Sequence, residues 1–314
     1  MEKVRLGVSA CLMGEAVRWD GNHARDHFIT DTLSRFVEYV LVCPEVEAGF
    51  GVPREPMRLV GDPTRPRLET SRTGIDVTER MESWCLRRVE ELAAEDLHGF
   101  IFKKGSPSSG MERVKVYQGE GPPVRKGQGV FARSFRTRFP LLPVEEEGRL
   151  NDPILRENFI ERVFALASWR SFRTEATLGG LVAFHTAHKL LVLSHSTDLY
   201  REMGRLVAGG RSVPLPGLLT RYETMLLRAL ELIATRSKHR NVLQHAMGYF
   251  KKVLTPDEKQ ELLEVLDVFG RGDVPLLVPI TLVNHYVRKY DEPYLRGQVY
   301  LHPHPLELRL RNHA

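Results

Sequence analysis

The 314-residue chain contains only three cysteines, Cys11, Cys43 and Cys85. Three thiols are too few for a disulfide-stapled scaffold, so each is a core residue, a ligand or a nucleophile. Long apolar runs are missing as well, and none approaches the roughly 18 residues a bilayer-spanning helix requires. The opening Met1-Glu2-Lys3-Val4-Arg5 offers no apolar core for a signal peptide, so the expected location is the cytoplasm. There is no Cys-x-x-Cys pair of the kind that supplies structural zinc ligands, and no Gly-x-Ser-x-Gly elbow for a serine hydrolase. No internal repeat and no low-complexity tract interrupts the sequence.

Charge is present but uneven. The net charge is +5. Residues 168–314 hold 20 Lys and Arg against 14 Asp and Glu, whereas residues 1–167 hold 25 against 26. Nine of the twelve histidines also lie in the later segment. A regional bias of this kind points either to a polyanionic partner or to an ordinary basic surface.

Three short apolar segments, Val4–Ala10, Tyr39–Val42 and Gly99–Lys103, read as buried parallel strands. Helical spacing is expected over Thr30–Tyr39 and over Val77–Ala94, the latter from Val77, Met81, Trp84, Cys85, Val89 and Leu92. Strands alternating with helices predict a parallel α/β, Rossmann-like sheet for residues 1–150. The stretch Pro140-Leu-Leu-Pro-Val-Glu-Glu-Glu-Gly148 reads as a boundary. Residues 151–314 are expected to be all-α, with a helix starting at Asp152-Pro153. Further helices are expected at Gly179–Leu193, Leu218–Thr235, Arg240–Val253, Pro256–Phe269 and Pro275–Tyr290.

Each predicted strand runs into a chemically loaded turn: Ser9-Ala10-Cys11-Leu12-Met13-Gly14, Val42-Cys43-Pro44-Glu45, and Lys103-Lys104-Gly105-Ser106-Pro107-Ser108-Ser109-Gly110. In an open parallel sheet the carboxyl ends of the strands share one edge, where ligands bind. Cys11, Cys43 and the 106–109 loop are therefore candidates for one pocket. Two cysteines in a pocket do not by themselves identify a metal site, and buried structural thiols are the alternative. Cys85, mid-helix on its apolar stripe, reads as core. Gly127-Gln-Gly129-Val-Phe-Ala132 fits a dinucleotide fingerprint by spelling, but it does not follow the first strand.

Several motifs in order resemble a known family. Val8-Ser-Ala-Cys11-Leu-Met-Gly14, Val17-Arg18-Trp19-Asp20-Gly21, Cys43-Pro-Glu45 with Pro53-Arg54, Ser106-Pro-Ser-Ser-Gly110, Gly129-Val-Phe-Ala-Arg133 and Gly148-Arg-Leu-Asn-Asp152 look like the TudS-type thiouracil desulfidases. Phe184-His185-Thr-Ala-His188-Lys189, Asn241-Val-Leu-Gln-His245 and Gln298-Val-Tyr-Leu-His-Pro303 resemble the YbgA-like helical domain. The pair together is similar to the RudS desulfidases, which act on 4-thiouridine in tRNA. The resemblance implies a 4Fe–4S cluster on three cysteines with one iron lacking a protein ligand. Two ligand positions match Cys11 and Cys43, and the third falls on Ser109, a hard hydroxyl in place of a soft thiolate. That departure implies an engineered or cluster-impaired form.

The resemblance further implies Glu45 as the catalytic carboxylate and Ser106 as a donor to developing negative charge, or simply a turn residue. Arg18, Asp20 and Lys103 are candidate substrate contacts. Lys238, Arg240, Lys251, Lys252, Arg288 and Lys289 are candidate phosphate contacts, with Tyr249, Tyr286 and Tyr300 as candidate stacking platforms. His185 and His188, three apart on one helical face, are expected to make structural hydrogen bonds. The expected reaction is desulfuration of thiolated uridine in tRNA to uridine and sulfide. The alternatives are a desulfidase for free 2-thiouracil or 4-thiouracil, and a non-catalytic RNA-binding protein with a decayed cluster site.

Overall fold

The computed structural model describes residues 4–119 and 121–312 and divides into two compact units, Met1–Asp152 and Pro153–Ala314. Of the opening segment Met1–Arg5, residues 1–3 lie outside the described residues. In chain order the strands of the first unit are β1 (Val4–Ser9), β2 (Val37–Val42), β3 (Met57–Val60) and β4 (Arg67–Thr70), then β5 (Gly99–Phe102), β6 (Val114–Tyr117), β7 (Val124–Gly127) and β8 (Val144–Glu146). The helices are α1 (Pro44–Glu47), α2 (Thr78–Ala93) and α3 (Val130–Arg138). One sheet has the order β2-β1-β5-β8, with every pairing parallel. Its central strands are apolar and buried on both faces, as helix-covered parallel strands must be. Phe100 and Phe102 of β5 pack against Phe131 and Phe135 of α3, and the Phe100–Phe135 ring centroids lie 4.8 Å apart. On α2, Met81, Trp84, Cys85, Val89 and Leu92 form the buried stripe.

The structure departs from the sequence expectations in particular places. The helix expected over Thr30–Tyr39 is reduced to a π turn at Phe28–Thr32 and a 3-10 turn at Leu33–Arg35, and from Val37 on the chain is β2. Thr30 and Ser34 spend their hydroxyls on the carbonyls of Asp26 and Thr30, an alternative to regular helix, and Val37–Val42 pairs along all of β1. A second sheet, β4-β3-β6-β7, of four-residue strands was not expected; β3 is parallel to β6, and the other two pairings are antiparallel. The stretch read as a boundary holds β8, the edge strand beside β5. Its acidic run is satisfied rather than solvated. Glu145 accepts from Arg149 Nε at 2.6 Å, Glu146 accepts from the Met111 amide at 2.7 Å, and Glu147 pairs with Lys103.

The second unit is helical: α4 (Pro153–Arg173), α5 (Leu178–His195), α6 (Thr197–Ala208), α7 (Leu215–Glu231), α8 (Arg236–Tyr249), α9 (Pro256–Arg271), α10 (Leu277–Lys289) and α11 (Pro293–Arg296). The start of α9 is written in its sequence, with Thr255 and Glu258 forming a reciprocal capping box around Pro256. Trp169 and Tyr222 stack in the core with centroids 5.0 Å apart. Among the described residues no helix is long and apolar enough to cross a membrane.

Candidate active site

Strand register brings the three loaded turns together. Ser9 at the end of β1 pairs with Val42 at the end of β2, so Cys11 and Cys43 leave neighbouring strand ends on the same edge. Val8 pairs with Ile101 of β5, and the Lys103 amide donates to Ser9 Oγ at 2.9 Å, which pins the third turn alongside. The result is a cavity of about 330 Å³ lined by Cys11, Cys43, Glu45, Arg54, Ser106, Ser108 and Ser109, among others. Arg18 and Lys103 also line it, and Asp20 does not.

The third turn is built by close backbone approach. Backbone amides at the start of α3 donate to its carbonyls: Val130 to Pro107 at 3.2 Å, and Phe131 to Ser108 at 2.9 Å. A Cβ on Gly129 would stand 2.5 Å from the Ser108 carbonyl oxygen, so only glycine lets the helix dock there. This accounts for Gly127–Ala132, whose glycine serves the serine turn and not a dinucleotide.

Glu45 follows Cys43 on α1, and its carboxylate is held from both sides. Arg54 donates to Oε2 from Nε at 2.8 Å and from Nη2 at 2.5 Å, and it spans further to the Val17 and Gly51 carbonyls at 2.9 and 2.8 Å. Ser108 Oγ donates to Oε1 at 2.9 Å. The single Ser108 proton is thereby committed, so Ser106, 3.0 Å away, is the donor between the two hydroxyls. Ser106 Oγ also accepts from the Ser108 and Ser109 amides at 3.3 and 3.1 Å. Ser106 is therefore the far end of a Ser106–Ser108–Glu45 relay and a turn anchor, rather than a free donor to the cavity. Sequence reasoning gave no role to Arg54 or Ser108; the only signal was their presence inside the recurring motifs.

The thiols are neutral as the chain stands. Burial pushes Cys11 up to about 11, despite the opposing Lys103 and Arg18 charges, and burial likewise raises Cys43, whose thiol donates weakly to the Val17 carbonyl at 3.8 Å. A soft cation that displaces their protons would supply the missing positive charge. Ser109 is 3% exposed, and its hydroxyl makes no hydrogen bond among the described residues. The cradle and two of three donors thus suit an iron–sulfur cluster, and the third position offers a harder, weaker ligand. Cys85 is buried in α2 and stands apart from the cavity lining.

Other candidates divide. Lys103 is paired with Glu147. Arg18 lies near Asp20 at 3.7 Å, and Asp20 accepts from the Asn22 amide. In the second unit, Lys238 donates to the His195 and Ile233 carbonyls at 2.8 and 3.0 Å, which makes it a structural cap. Arg240 pairs with Asp267 and Lys289 with Glu258. Lys251, Lys252 and Arg288 are exposed. Tyr286 and Tyr300 are buried, bonded to Glu261 and His239, and cannot stack on bases; Tyr249 is exposed and already stacks on Tyr294. His185 bonds the Tyr222 hydroxyl and His188 the Phe184 carbonyl, both structural.

A family model described as 2-thiouracil desulfurase matches residues 6–147, and one described as a protein of unknown function (DUF1722) matches residues 189–305. Protein YbgA of Escherichia coli (strain K12) is 33% identical over 153 residues, 48% of this chain and 90% of that protein. Protein YbbK of Bacillus subtilis (strain 168) is 31% identical over 108 residues, 33% of this chain and 71% of that protein. A solved structure titled [4Fe-4S]-dependent thiouracil desulfidase TudS is 28% identical, with a TM-score of 0.41, and covers 48% of this chain and 95% of that one. The chain belongs to the TudS/YbgA-like family, a 2-thiouracil desulfurase region followed by a DUF1722 region.

Proposed function

We propose that the protein hydrolyses the carbon–sulfur bond of 4-thiouridine in tRNA, taking up water and releasing uridine and sulfide. One observation carries the reading: a carboxylate fixed by Arg54 and Ser108 faces the same sheet-edge cavity as Cys11, Cys43 and Ser109. Cys11 and Cys43 would hold the cluster, with Ser109 in the third ligand position. When bound, a cluster with an open iron supplies a Lewis acid for sulfur.

The protein's own residues supply the rest. Arg54 immobilises one oxygen of Glu45 and so fixes where the other points. Glu45 accepts a proton from the water attacking the ring carbon and returns it toward departing sulfide. The Ser108 and Ser106 hydroxyls reorient with Glu45 as its charge changes, holding the carboxylate in place through both steps. A base within tRNA must first be unstacked and turned into the cavity, which fits one base and not a duplex. The exposed Lys251, Lys252 and Arg288 support the polyanion reading of the helical unit.

The hydroxyl at Ser109 favours one competing reading, an RNA-binding protein whose cluster site has decayed. Sulfide release by anaerobically reconstituted protein separates the readings when thiolated tRNA, 4-thiouracil and 2-thiouracil are offered to the Ser109→Cys form. Release from tRNA in preference to free bases is expected. Release from free bases alone would move the substrate assignment, and release from none would leave the binding protein. Glu45→Ala in the same form should abolish release without lowering bound iron.

A further inference from the structure

The helical unit contains a buried polar cluster that the desulfuration reading does not use. Glu157 and Glu161 lie one turn apart on α4 and face the same way. Oxygen atoms of both and a ring nitrogen of His304 all lie within 4.8 Å of one another, and all three side chains are buried. Arg311 donates to Glu157 Oε1 at 3.1 Å, to Glu161 Oε1 at 2.7 Å and to the Tyr300 carbonyl at 2.5 Å. His195 Nε2 stands 3.2 Å from Glu161 Oε2, while its Nδ1 contacts the Leu232 carbonyl at 2.6 Å.

A purely structural network would satisfy its members, and this one does not. His304 is 8% exposed, and its Nε2 is buried without a hydrogen-bond partner among the described residues. Its Nδ1 lies 3.2 Å from the Pro305 carbonyl, which can only accept, so Nδ1 carries the proton and Nε2 presents a bare lone pair. Two carboxylates and one imidazole lone pair therefore converge, and among the described residues Arg311 and His195 reach the carboxylates and leave Nε2 unmatched. A buried acceptor without a donor is costly. Two cavities flank the cluster. One, of about 250 Å³, is lined by Glu157, Glu161, His195 and His239; the other, of about 340 Å³, by His302, His304 and Arg311. They provide an entry path and room for a completing water.

We propose that Glu157, Glu161 and His304 form a binding site for a divalent transition metal of the zinc class in the helical unit, with Arg311 and His195 orienting the carboxylates from outside. Two carboxylates, one imidazole and water are a donor set suited to such an ion, and carboxylates shared between a metal and an outer donor are ordinary in these sites.

The test uses the full chain carrying Cys11→Ser and Cys43→Ser, so that sulfur ligands at the other site are gone. After chelator treatment it is titrated with Zn²⁺ by calorimetry, and bound metal is counted. One saturable site per chain is expected, weakened at least about tenfold by His304→Ala and by Glu161→Gln. Zinc-edge X-ray absorption on the same Cys11→Ser, Cys43→Ser chain should show oxygen and nitrogen at ~2.0 Å and no sulfur at ~2.3 Å, which keeps the proposal testable if a further variant fails to fold. Absence of a saturable site, unchanged affinity in both folded variants, or a sulfur shell would overturn it.

Discussion

Replacing Arg54 with alanine tests whether Glu45 is fixed by design of the fold or merely sits at the cavity. The Arg54 side chain is 6% exposed and Glu45 14%, so the pair is largely withdrawn from water. Removing one partner of a buried pair costs roughly 3–5 kcal/mol because the other charge is stranded. Here the lower end applies, about 3 kcal/mol, because the adjoining cavity admits water to the orphaned carboxylate. For a unit of this size each kcal/mol moves the melting temperature by about 2–4 °C, so Arg54→Ala should melt about 6–12 °C below the parent. Arg54→Lys keeps a charge but loses the fork that reaches Glu45, Val17 and Gly51 together, and it should fall between the two. A carboxylate free to swing should also lose turnover by about 10²-fold in a cluster-loaded form. Melting curves followed by circular dichroism, with sulfide release measured on the same samples, decide the matter. An Arg54→Ala chain that melts within about 1 °C of the parent and turns over normally refutes the clamp.

Two other perturbations follow from the helical unit. Burial holds His185 and His188 down at about 4, below the ordinary value near 6.5. Because the folded values are depressed, the unfolded chain takes up protons first as pH falls. Their stabilising contribution is full above about pH 6.5 and lost between there and about pH 4. His188→Gln should flatten the fall of melting temperature across that window, and an unchanged slope contradicts the assignment. In tRNA binding, Lys251→Ala or Lys252→Ala should each reduce the log–log salt slope by about 1, whereas Lys238→Ala should lower the melting temperature and leave the slope alone. Equal slope changes in all three would remove the distinction between phosphate contacts and the structural cap.

The sequence carried the parallel core well because apolar runs such as Val4–Ser9 and Gly99–Phe102 are buried on both faces and leave little ambiguity. It carried the convergence of Cys11, Cys43 and the 106–109 loop because strand ends in a parallel sheet share an edge. It hid the second sheet, whose four-residue strands Met57–Val60 and Arg67–Thr70 mix charged and apolar residues without a clean period. It hid β8 because Glu145 and Glu146 look solvent-facing until Arg149 and the Met111 amide are seen to meet them. Arg54 and Ser108 were invisible as partners of Glu45 because the contacts span 9 and 63 residues, and no local pattern encodes them. Lys238 and Tyr300 misled for the converse reason: a cation or an aromatic ring has the same spelling on a binding face and in a hydrogen-bonded interior.

The most direct measurement counts iron and acid-labile sulfide after anaerobic reconstitution of the parent chain, of Ser109→Cys, and of Ser109→Cys combined with Cys11→Ser or Cys43→Ser. If these three positions share one centre, Ser109→Cys should hold about four irons, the parent fewer, and each combined variant should lose most of the gain. No gain in Ser109→Cys, or iron retained after either cysteine is removed, contradicts the shared site.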